Sequence, residues 1–75
     1  ARHGLYLRLA SEADPLYKHA VNLLSIFEGD EPVYIRFADT GKLVRAPRSL
    51  WIMPNDPLFG ELRRVLGDEN VAVLK

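Results

Sequence analysis

One instruction is written twice in this chain. Asp14-Pro15-Leu16 opens an apolar-periodic run that closes at Gly29-Asp30-Glu31 and leads into Pro32-Val33-Tyr34-Ile35. Asp56-Pro57-Leu58 opens a shorter run that closes at Gly67-Asp68-Glu69 and leads into Asn70-Val71-Ala72-Val73. An Asp cap accepts from the free N–H groups of a first turn, and a Pro at the first helical position loses no hydrogen bond. A Gly in the left-handed conformation then stops the helix. Each half therefore predicts a helix, a turn and a strand, and two amphipathic helices need a sheet to lie on.

The strands are legible from their alternation. In Leu5-Tyr6-Leu7-Arg8-Leu9 the leucines share one face, with Tyr6 and Arg8 on the other. Val33, Ile35 and Phe37 alternate in the same way with Tyr34, Arg36 and Ala38. Asp39-Thr40-Gly41-Lys42 reads as a hairpin turn with Gly41 at positive φ. The returning strand starts near Leu43-Val44-Arg45, is interrupted by Pro47, and is expected to resume at Leu50-Trp51-Ile52. Val71-Ala72-Val73-Leu74 is the last strand. Leu16, Ala20, Leu23 and Phe27 mark the buried stripe of the first helix, widened by Tyr17, Val21 and Leu24. Leu58, Leu62, Val65 and Leu66 mark that of the second, with Phe59 beside it.

The order β-α-β-β-α-β predicts an α+β fold of the ferredoxin-like sandwich type. It comprises a four-stranded antiparallel sheet with two helices on one face, the first and third strands being central. The other sheet face would be left uncovered. Seventy-five residues make a single small domain, near the size limit at which one core outweighs chain entropy. With no cysteine, apolar packing has to do this without disulfides or thiolate metal sites. The start at Ala1-Arg2-His3-Gly4, with no initiator Met and a strand almost at once, reads as a piece of a longer protein. No apolar run is long enough to span a bilayer, so no membrane role is expected.

Ten basic residues balance ten acidic ones, so any affinity for nucleic acid must come from a local patch. Two places qualify. The uncovered face carries Tyr6, Arg8, Tyr34 and Arg36, with Arg45, Arg48 and Trp51 nearby. Residues 36–48 hold four bases and one acid. Rings interleaved with guanidinium groups can stack on bases and pair with phosphates. They are equally the ordinary furniture of a solvated strand face, or of one covered by another domain. Trp51, beside Ile52-Met53-Pro54, is either an interface anchor or a ring packed on the sheet edge.

Catalytic chemistry finds no footing. His3 and His19 lack partners at ligand spacing, so no metal is expected. Ser11, Ser25 and Ser49 lack the turn that exposes a nucleophile. Gly41-Lys42 lacks the rest of a phosphate-binding loop. Neither a catalytic residue nor a cofactor is assigned.

Three segments together resemble a known family. They are Leu5-Tyr6-Leu7-Arg8-Leu9, then Ile26-Phe27-Glu28-Gly29-Asp30 with Pro32-Val33-Tyr34, and finally Leu66-Gly67-Asp68-Glu69-Asn70-Val71. In order and spacing they are similar to the extreme C-terminus of the bacterial DNA polymerase III alpha subunit. The resemblance implies a cytoplasmic DNA-directed DNA polymerase, a nucleotidyltransferase, as the parent, with its metal-binding carboxylates lying outside this stretch. It further implies a non-catalytic domain that docks to the clamp-loader tau subunit or another replisome protein. The residues put forward for contact with such a partner, or with single-stranded DNA, are Tyr6, Arg8, Tyr34, Arg36, Arg45, Arg48 and Trp51. Two other functions share the expected topology. An RNA-recognition-like module would bind single strands directly, but Leu43-Val44-Arg45-Ala46-Pro47-Arg48 lacks the glycine-aromatic motif expected on its third strand. An ACT-like ligand sensor would carry a glycine after the first strand, where Ser11-Glu12-Ala13-Asp14 has none.

Overall fold

The computed structural model describes residues 4–74. Strand β1 (Gly4–Leu9) leads to helix α1 (Pro15–Ile26), a short strand β2 (Glu28–Glu31), and the hairpin of β3 (Val33–Phe37) with β4 (Lys42–Arg45). A 3₁₀ turn at Arg48–Leu50, helix α2 (Asp56–Leu66), a second 3₁₀ turn at Asp68–Asn70 and strand β5 (Val71–Leu74) complete the chain.

The main sheet has the order β4-β3-β1-β5, with β1 parallel to β3 and antiparallel pairs at both edges. The fold is thus α+β with a four-stranded sheet and two helices, as expected, but the sheet is mixed and not antiparallel. The central strands are β1 and β3, whereas the ferredoxin-like expectation put the first and third of four strands, here β1 and β4, in the middle. Pro47 contributes to this outcome. The strand after the hairpin ends at Arg45 and cannot continue through a residue without an N–H, so it stays short and lies at the edge.

The register of β1 on β3 follows from burial. Leu5↔Val33, Leu7↔Ile35 and Leu9↔Phe37 put all six apolar side chains on one face, and a one-residue slip would turn one set out to solvent. These residues form one cluster with Ala20 and Leu24 of α1 and Leu58, Leu62 and Leu66 of α2, so both helices bury on the same face. Leu5, Leu7, Leu24, Leu58 and Leu62 are fully enclosed, each stabilising the fold by about 2 kcal/mol. Tyr17 meets Phe37 edge-on at 5.5 Å. Leu16, expected in the stripe, is instead exposed.

Three local expectations need correction. Gly29 does not stop α1 in the left-handed region. The helix ends at Ile26 with Phe27 as its C-cap, and Gly29 lies inside β2, outside the set of positive-φ glycines. Next, Leu50-Trp51-Ile52 does not rejoin the main sheet. Ile52 bridges to Glu28 and Glu31 of β2, with Gly29 N–H donating to the Trp51 carbonyl at 2.9 Å and Met53 N–H to Phe27 at 2.7 Å. Finally, α2 is capped by Asn55, whose Oδ1 accepts from Leu58 N–H at 2.9 Å, so Asp56 is already helical. The Asp14 cap of α1 and the glycine stop of α2 at Gly67 stand as expected, as does positive φ at Gly41.

Candidate functional site

The two central strands carry the same pattern, apolar-Tyr-apolar-Arg-apolar, in Leu5-Tyr6-Leu7-Arg8-Leu9 and Val33-Tyr34-Ile35-Arg36-Phe37. Because the core fixes their register without offset, like residues face like across the helix-free side of the sheet. Tyr6 pairs with Tyr34, and Arg8 with Arg36. That side therefore carries a row of rings and, one pleat on, a row of guanidinium groups.

The ring row is closed. Tyr6 and Tyr34 stack with centroids 4.8 Å apart and planes within 15°, a contact contributing about 1 kcal/mol. Tyr34 is only 8% exposed. Arg45 flanks it from β4, in register with Tyr34. Beyond, the guanidinium carbons of Arg45 and Arg48 lie 5.0 and 5.2 Å from the Trp51 ring centroid. The Trp51 indole donates to the Ala46 carbonyl at 3.0 Å, and Arg48 also pairs with Asp30 at 3.2 Å. Trp51 is thus half-buried, with its indole N–H already bonded within the domain. It packs against Ala46 and the two arginines and keeps part of its ring exposed.

The guanidinium row is open. Arg8 and Arg36 are both exposed. Arg8 Nε donates to Asn70 Oδ1 at 2.8 Å, and the Asn70 amide donates in turn to the Leu66 carbonyl at 2.6 Å, at the end of α2. One edge of the Arg8 fork is therefore held, while its terminal nitrogens have no hydrogen-bond partner among the described residues. Among the described residues, Arg36 has neither an ion-pair nor a hydrogen-bond partner. Around the arginine pair lies a shallow depression of about 240 Å³, lined by Tyr6, Arg8, Arg36, Leu43, Glu69, Asn70 and Ala72.

Of the seven residues singled out from sequence, Tyr6, Arg8, Tyr34, Arg36 and Arg45 share one face, while Trp51 and Arg48 form a separate cluster joined to it through Arg45. Sequence reasoning missed Leu43, Asn70 and Ala72. The repeated pentad, together with the Asn immediately before the last strand, was the available signal. Glu61 and Arg64 pair on α2, on the other side of the sheet. The hydrogen bond from Arg64 holds the Glu61 carboxyl below its ordinary range, and the same bond raises the guanidinium. Among the described residues no group of three or more His, Cys, Asp or Glu side chains comes together in a way that could hold a metal. His19 is exposed on α1, and His3 lies outside the described residues. No described helix is long and apolar enough to cross a membrane.

Compared with protein-family profiles, with curated proteins and with solved structures, the chain finds no match in any of the three.

Proposed function

We propose that this domain is a non-catalytic docking module, of the kind its motifs resemble at the C-terminus of the bacterial DNA polymerase III alpha subunit. On this reading it works in the cytoplasm, and its helix-free sheet face receives the clamp-loader tau subunit. The family likeness rests on the three sequence segments and not on a ferredoxin-like sheet. The observation that supports docking over direct binding of single strands is the closed stack of Tyr6 on Tyr34. An RNA-recognition-like platform needs several ring faces free for bases, and here one face of each ring is taken by the other while Tyr34 is buried. What the face does offer is a shallow apolar floor beside exposed cations, a surface suited to a protein.

The test is titration of the labelled 75-residue chain with tau and, separately, with oligothymidylate, at low and moderate salt. Saturable tau binding that Arg8→Ala and Arg36→Ala weaken about tenfold, with no response to the oligonucleotide, is the expected result. Tight oligonucleotide binding that falls steeply with salt would replace docking by nucleic-acid binding. Substitution at Tyr34 or Trp51 is a poor probe, because both side chains also support the fold.

A further inference from the structure

Arg8 and Arg36 are the only pair of like charges directly opposed in the described strand registers, and they sit at the middle of the open face. Side-by-side cations on neighbouring strands are unfavourable unless something negative lies over them. Nothing within the described face does so. Glu69 lines the same depression, but Arg8 turns its Nε to the neutral amide of Asn70, and neither arginine forms an ion pair among the described residues. Asn70 thereby fixes the direction of one guanidinium without neutralising it, which leaves a donor fork pre-aimed beside a second, free one.

The chemistry around the pair narrows what they would take. Leu43, opposite Arg36 on β4, is half-exposed, and Ala72, opposite Tyr6 on β5, is exposed. Both line the depression, Leu43 on the β4 side of the arginine pair and Ala72 on the β5 side. At about 240 Å³ it has room for a branched aliphatic side chain. A ligand that satisfies both parts carries a carboxylate and, one or two residues away, an apolar side chain. Nucleic acid supplies the anion, but of the two rings Tyr34 is buried, and only the outer side of the half-exposed Tyr6 is left for a base to stack on.

We infer that the open face contains a carboxylate-recognition subsite, with Arg8 and Arg36 gripping an Asp or Glu side chain of an acidic-apolar peptide whose neighbouring aliphatic residue packs in the depression beside Tyr6 and Ala72. This deepens the docking proposal and rests on it for the statement that the ligand belongs to a partner protein. Planar forks meeting a carboxylate supply orientation as well as charge, so the subsite would set the direction in which the partner segment crosses the strands.

The test uses the ¹⁵N-labelled 75-residue chain and a blocked tripeptide, N-acetyl-Asp-Leu-Glu-amide, with N-acetyl-Asn-Leu-Gln-amide as its uncharged isostere. The acidic peptide is expected to shift the Arg8 and Arg36 side-chain N–H signals and the Tyr6 and Ala72 amides saturably. The uncharged isostere should bind at least about tenfold more weakly. The double variant Arg8→Gln with Arg36→Gln, both surface positions, should lose the response while keeping its dispersed spectrum. Equal responses to the two peptides, or shifts elsewhere on the surface, overturn the inference. So does a response to oligothymidylate that exceeds the peptide's and disappears with the same substitutions. The two proposals fail separately. Tau binding that ignores the double variant removes the subsite and leaves docking. Peptide binding without tau binding removes that partner and leaves the subsite.

Discussion

Gly29-Asp30-Glu31 and Gly67-Asp68-Glu69 are the same three residues placed after the same kind of helix, and they use glycine in opposite ways. Gly67 caps α2 at φ 98°, and a Cβ there would meet nothing closer than 3.4 Å. Its requirement is conformational. Gly29 has no positive φ, but a Cβ there would lie 2.5 Å from the Ile52 carbonyl carbon and the Met53 nitrogen. Its requirement is room. The first half needs that room because its helix is followed by an additional strand pressed against residues 51–53. The second half passes through a 3₁₀ turn straight into β5. Identical letters thus encode a stop in one half and a close approach in the other, and only the partner strand decides which.

Alanine at the two glycines should separate these roles. Gly29→Ala must push backbone away from backbone, where no side-chain rotation gives relief, and is expected to cost about 3 kcal/mol in urea unfolding. It should also speed hydrogen exchange at the Gly29 and Met53 positions, whose N–H groups tie the two strands together. Gly67→Ala keeps its space and loses only its backbone freedom, a cost of about 1–2 kcal/mol with exchange in β2 unchanged. Equal losses, or a larger one at Gly67, would break the contrast.

The helix starts sharpen the same comparison at a smaller scale. Asp14 caps α1, accepting from Leu16 N–H at 2.9 Å. The matching Asp56 of the second half is the first residue of α2, behind Asn55. Asn55→Ala should therefore cost about 1 kcal/mol, as a lost cap does. Asp56→Ala should cost a few tenths, the worth of an acid in a first turn. Thermal melts of the two single variants decide between them. If Asp56 proves the more costly, the true cap is where the repeat would have put it.

Period-two alternation settled the buried faces of β1, β3 and β5, because burying leucine and isoleucine outweighs every other local preference there. Strand order was harder to read. The βαβ unit and the hairpin are each compatible with either β3 or β4 beside β1, and the choice turned on Pro47 cutting β4 short and on Ile52 finding a partner in β2. That partner, Glu28-Gly29-Asp30-Glu31, has no apolar alternation and looks like a polar turn. Its strand character comes entirely from tertiary contact. For the site, parity placed Tyr6, Arg8, Tyr34 and Arg36 on one face correctly. Which neighbours they would have depended on register across strands far apart in the chain, so the ring stack and the Asn70 contact were out of reach. Trp51 was ambiguous for the same reason, since its indole partner is a backbone carbonyl.

Strand β1 is hydrogen-bonded on both sides, to β3 about 30 residues along the chain and to β5 about 70. Loop-closure entropy grows only with the logarithm of length, so the longer connection costs less than about 1 kcal/mol more than the shorter. The nearer partner is nonetheless expected to arrive first. Pulsed hydrogen exchange during refolding would then find Ile35 protected before Ala72, and the reverse order would refute it. Such a sequence of events splits the construction of the open face in time. Its cations are brought side by side while the chain is still half assembled, and one of them is aimed only when the last strand closes and delivers Asn70.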